Sequence, residues 1–187
     1  ADAATAAMLR AQFYAEVDGR FEKRFRRDDL LFPHDFRAIE ARSTRYLREA
    51  RDRRVTPEAV DRAVAWVADR YAEAGIDWWL TGSAALYARG LDLLPHDIDV
   101  MTYLREADAL APVVEGSIVE PFHRVSDWVV KGFGVIDRGV RVDVAFEPEA
   151  WVDGPWHYKR FPGDHWTPIG EAARLNEALL DHLQQAE

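Results

Sequence analysis

The spacing of hydrophobic positions changes near residue 75. Before that point it is helical. In residues 36–54, Phe36, Ile39, Ser43, Tyr46, Leu47 and Ala50 recur at three- and four-residue steps, which predicts one face of a helix. Thr56-Pro57-Glu58 then opens a second helix, with Thr56 as N-cap, proline at the first helical position and Glu58 favourable to the dipole. Val60, Val64, Val67 and Tyr71 continue its apolar face, and Gly75 is a natural stop. Beyond Gly75 the runs are short and strand-like. Residues 76–81 (IDWWLT) predict a buried strand, residues 84–89 a helix stopped by Gly90, and residues 97–101 an alternating strand. A helix is expected over 104–110, ending before Pro112. Residues 125–135 and 140–146 predict a hairpin turned at Asp137-Arg138-Gly139. Residues 151–168, rich in Trp, Pro and Gly, predict an irregular segment, and 170–185 a closing amphipathic helix. The organisation expected is an N-terminal helical region over 1–72 and a mixed domain over 73–187.

Composition narrows the classes of function. At 187 residues and 48% hydrophobic, the chain can bury a sizeable core without a disulfide or metal staple. It has no cysteine, which excludes thiolate zinc sites, iron–sulfur clusters and cysteine nucleophiles together. No run approaches the ~20 apolar residues of a membrane span, and the start ADAATAAMLR lacks the basic and apolar parts of a secretory signal. A soluble, cytoplasmic protein is the expectation, with no membrane partner.

The net charge of −9 is unevenly distributed. Residues 1–75 hold 15 Lys and Arg against 14 Asp and Glu, whereas residues 76–187 hold 9 against 19. A field of −10 over the second part argues against a long nucleic acid as ligand and suits divalent cations, although a solubilising surface has the same composition.

Three features of the second part carry candidate chemistry. The first is Thr81-Gly82-Ser83, where a strand runs into a helix. Glycine allows close backbone approach, and a helix start offers free N–H groups to phosphate, although the same join is also an ordinary tight turn. The second is Asp97-Ile98-Asp99. Side chains two apart on a strand share a face, so the carboxylates emerge together. Two like charges so placed are unfavourable unless a cation lies between them or one takes a proton, and an all-oxygen site suits Mg²⁺ or Mn²⁺. The third is Asp143, opposite the apolar face formed by Val140, Val142, Val144 and Phe146; Asp137 and Glu147 compete with it but sit nearer a turn or strand end. The six histidines show no H-E-x-x-H spacing, and the Walker A, Rossmann and G-x-S-x-G motifs are missing.

In their order and spacing, Gly82-Ser83, Asp97-Ile98-Asp99 and Asp143 resemble the nucleotidyltransferase superfamily of the DNA polymerase β type, in particular the small bacterial nucleotidyltransferase-like proteins. The likeness covers about residues 75–147. It implies an α+β fold, a nucleotidyltransferase-type mixed β-sheet with flanking helices, preceded here by the N-terminal helical region. It implies transfer of a nucleoside monophosphate from a nucleoside triphosphate to a hydroxyl acceptor on a small molecule, RNA or protein. In that scheme Asp97, Asp99 and Asp143 are catalytic and hold Mg²⁺ or Mn²⁺, and Gly82 and Ser83 bind the nucleotide. The acceptor pocket would come from the N-terminal helices, the Trp128 strand and residues 151–168. The chain departs from the Gly-Ser-Arg-x-Arg-Gly turn of the antitoxin subgroup: Gly82-Ser83 is followed by Ala84-Ala85, leaving Arg89 or Lys131 as the cations that could compensate. The alternative is a catalytically silent nucleotidyltransferase-like module that binds nucleotide or a protein partner.

Overall fold

A computed structural model describes residues 3–11, 14–50, 52–125, 130–148, 157–159 and 166–168. The expected helix over 170–185, Trp128 and most of the 151–168 segment lie outside the described residues. In chain order the elements begin with α1 (Ala3–Ala11), β1 (Ala15–Val17), β2 (Arg20–Glu22), α2 (Phe36–Ala50), α3 (Pro57–Glu73), β3 (Trp78–Thr81) and α4 (Gly82–Ala88). They continue with β4 (Asp97–Thr102), α5 (Ala107–Val114), β5 (Ile118–Arg124), β6 (Val130–Asp137), β7 (Arg141–Pro148), β8 (His157–Lys159) and β9 (Trp166–Pro168). The fold is α+β: a five-stranded mixed sheet in the order β3-β4-β7-β6-β5, with helices against it. All neighbours are antiparallel except β4 and β7, which run parallel.

Helices α2 and α3 start where side chains satisfy free N–H groups. Thr56 accepts from the Ala59 N–H at 3.3 Å, with Pro57 at the first helical position. Asp35 does the same for α2, accepting from Arg37 and Ala38 at 3.1 Å. Two expectations shift. The N-terminal region is not wholly helical, because β1 and β2 form a small hairpin turned at Asp18-Gly19, where both residues take positive φ (49° and 75°). An Asp-Gly pair adopts that turn readily. Second, α5 continues through Pro112 instead of stopping before it. The carbonyl that loses its partner belongs to exposed Asp108, where water can replace the bond.

Sheet alternation separates two faces. Ile98, Val100, Val142, Val144 and Phe146 point to the main core, where they meet Val60, Val67 and Tyr71 of α3 and Leu110 and Val114 of α5, each of them 0% exposed. This core is continuous between α3 and the sheet. On the opposite face α2 covers the β5–β6 side, burying Tyr46 with Val119, Phe133 and Val135. Among the described residues no helix is long and apolar enough to cross a membrane.

Candidate active site

The face that α2 partly covers carries the acidic residues. On β4 the burial alternates, so Ile98 and Val100 are buried while Asp97 and Asp99 are half-buried on the other face. Register then does what spacing could not. Asp99 lies opposite Asp143 of β7 on one side and opposite Thr81, the last residue of β3, on the other; Asp97 lies opposite Arg141. Cross-strand partners share a face, with Cβ atoms about 4.5–5.5 Å apart in antiparallel pairs such as Thr81–Asp99. Asp97, Asp99 and Asp143 are therefore on one face, as the alternation predicts, and the chain's Gly82-Ser83 turn begins one residue beyond the strand position facing Asp99.

The carboxylates affect one another. Burial, then Asp97 and Asp143, push Asp99 up to about 6 from its ordinary 3.8, against the pull of Arg141. Burial also raises Asp143, opposed by Arg141. Gly82 takes φ +61°, and a Cβ placed there would overlap Oδ2 of Asp99. The first group to use the close approach that glycine permits is thus the protein's own carboxylate. Ser83 is half-buried beside it.

Arg141 was not among the residues that the motifs point to. Its Nε donates to Oδ1 of Asp143 at 2.6 Å, and the two side chains are 23% and 17% exposed. Burial works against the arginine charge, yet Asp143, with Tyr46 and Glu120 near it, keeps its pKa above the ordinary arginine value. The signal in the sequence was its place two residues before Asp143, but the pairing depends on β7 lying beside β4. The other cations considered for this role lie elsewhere. Arg89 is exposed at the end of α4, and Lys131 pairs with Glu147 at 3.7 Å. The competing acids are also engaged: Asp137 accepts from Arg53 at 2.5 and 3.0 Å, and Glu147 meets Lys131.

Among the described residues no group of three or more histidine, aspartate or glutamate side chains is gathered tightly enough to hold a metal ion. Three carboxylates are the donor chemistry of a hard divalent cation, but the side-chain positions do not form a finished cage, and Oδ1 of Asp143 is engaged by Arg141. Trp79 and Met101 continue the same face along β3 and β4, and Trp79 packs against Tyr103 with ring centroids 5.4 Å apart. A larger cleft, of about 490 Å³, lies at the β5 edge of the sheet between Phe32, His34, Arg42, Pro112 and Ile118, away from the carboxylates.

No family model matches this chain, and neither does any curated protein sequence. Among solved structures it is similar to a crystal structure of a candidate nucleotidyltransferase from Thermotoga maritima, with 21% identity and a TM-score of 0.44. The likeness covers 62% of this chain and spans 66% of the length of that one.

Proposed function

We propose that this protein is a metal-dependent nucleotidyltransferase, transferring a nucleoside monophosphate from a nucleoside triphosphate to a hydroxyl of a small molecule, RNA or protein. The observation that carries this reading is the cross-strand line Thr81–Asp99–Asp143, with Asp97 two residues along β4 on the same face. Three acids at neighbouring positions, on a face half-closed by α2, are an unfavourable arrangement for a surface that binds nothing. In this scheme Asp97 and Asp99 hold Mg²⁺ or Mn²⁺ and Asp143 completes the set. A bound divalent cation supplies charge neutralisation for the attacking and leaving oxygens.

The remaining work falls to the chain's own groups. Gly82 and Ser83 receive the β- and γ-phosphates through backbone N–H groups and the serine hydroxyl. The acceptor oxygen then attacks the α-phosphorus in line, the bond to the bridging oxygen breaks, and pyrophosphate leaves. In this scheme Asp143 takes the acceptor proton, and the rise in its pKa on burial supports that role. The test is to incubate the protein with each radiolabelled triphosphate, Mg²⁺ or Mn²⁺, and a panel of aminoglycosides, tRNA and cell extract. Pyrophosphate release and label transfer should exceed those of Asp99→Asn. Equal release from both proteins favours a second reading, a catalytically silent nucleotide- or protein-binding module. The observation behind that reading is the Arg141–Asp143 pair, which already engages one oxygen of the third acid.

A further inference from the structure

The third carboxylate gives one of its oxygens to an arginine. Oδ1 of Asp143 accepts from Arg141 Nε at 2.6 Å, and both side chains are largely buried. Arg141 is itself enclosed. Tyr46 of α2 and Glu120 of β5 line, with Arg141, a void of about 10 Å³ that Tyr14 and Ser43 also border. Glu120 is engaged in turn, accepting from Lys23 at 2.6 Å. The guanidinium therefore has a built seat, and from that seat it sets one positive charge against a patch where Asp97, Asp99 and Asp143 stand together. It does electrostatically what a bound cation would do.

We propose that Arg141 is a positioning residue that holds Oδ1 of Asp143 and sets its own charge against a cation, so that a divalent cation takes its third carboxylate in competition with the guanidinium. This rests on the metal-dependent reading of the same site. Two consequences follow from charge alone. The guanidinium repels an incoming cation, and its hydrogen bond must weaken as the cation binds. Removing the positive charge should then tighten cation binding on the order of tenfold, the scale of one unit charge a few ångströms away in a partly screened site. A pair with only a structural role predicts the reverse, since its loss would loosen β7 and weaken every ligand.

The experiment is calorimetric titration of the full chain with Mn²⁺ alone. Arg141→Gln should bind about tenfold tighter than the wild type. Arg141→Lys keeps the charge and should stay near the wild type, while Asp99→Asn should bind more weakly than either. If the wild type binds Mn²⁺ and Asp99→Asn does not, but Arg141→Gln binds no tighter, the inference is wrong and the metal reading stands. If neither the wild type nor Arg141→Gln binds Mn²⁺, the metal reading itself fails. Should Arg141→Gln not fold, the wild type alone decides through the ¹⁵Nε resonance of Arg141 during a Mg²⁺ titration. That resonance should shift with saturation, in step with the carboxyl signals of Asp97 and Asp99. A fixed Arg141 signal beside moving carboxyl signals overturns the proposal.

Discussion

Gly82 makes the most local of the site's demands. Its φ of +61° lies in the left-handed region, and Oδ2 of Asp99 fills the space a Cβ would need. Gly82→Ala therefore combines two costs: backbone strain of about 1 kcal/mol and displacement of a carboxylate whose position the site depends on. Gly90 separates them, since its φ is +91° but a Cβ there meets nothing within 4 Å. Denaturant unfolding should show both alanine variants destabilised by about 1 kcal/mol from the backbone alone, with a further loss at Gly82 only. Mn²⁺ titration should be weakened for Gly82→Ala and unchanged for Gly90→Ala. Equal behaviour of the two variants would mean that Asp99 adapts freely and that the close contact is incidental. At this scale the sequence was legible where one element decides the outcome. Asp97 and Asp99 share a face because they are two apart on a single strand, and Asp143 opposes an apolar stripe on its own strand. The Gly82–Asp99 contact and the Arg141–Asp143 pair were not legible, because each depends on which strands are neighbours and in what register.

Among the elements, the sheet's β5 edge shows how a histidine can serve packing instead of catalysis. His34 Nε2 lies 3.0 Å from the Phe122 N–H and 3.2 Å from the Phe122 carbonyl oxygen, which also accepts from the Leu31 N–H at 3.0 Å; the backbone N–H can only donate. His34 Nε2 is then the acceptor, which requires a neutral ring carrying its proton on Nδ1. Burial pushes the pKa of His34 below its ordinary 6.5, in agreement with that assignment. A histidine held neutral contributes stability that is present above the unfolded-state pKa and is lost as pH falls below it, because the unfolded chain binds the proton more readily. Thermal unfolding followed from pH 8 towards pH 5 should therefore show a loss of stability through about 6.5 that is smaller in His34→Gln, which can still accept from Phe122. A wild-type ring that NMR shows protonated at pH 7 would contradict the assignment. Strands β6 and β7 were readable from alternation and their Asp-Arg-Gly turn. The β1–β2 hairpin was harder to read despite Asp18-Gly19, since three-residue strands are too short to display a period.

For the whole molecule the change of hydrophobic period near residue 75 invites a division into two units, helices before and sheet after. The packing joins them. Val60, Val67 and Tyr71 of α3 sit in one cluster with Ile98, Val100, Val142 and Val144 of the sheet, and none of these side chains is exposed. Periodicity records that an element has an apolar face; it carries no information on which partner covers that face. With α3 removed, the core face of β4 and β7 would present Ile98, Val100, Val142 and Val144 to water, a condition small domains do not sustain. Unfolding of α3 and the five-stranded sheet should accordingly be one event. Val67→Ala, a truncation in α3 that leaves a cavity at a fully buried position, should cost about 2 kcal/mol. The same loss should appear in the free energy of amide exchange at Val142 and Val144 on β7, because in a single cooperative unit the most protected amides exchange only through global opening. If those β7 amides keep their wild-type protection while the amides of α3 lose theirs, the helical region opens independently of the sheet. The acidic face would then stand on a domain that folds without α3.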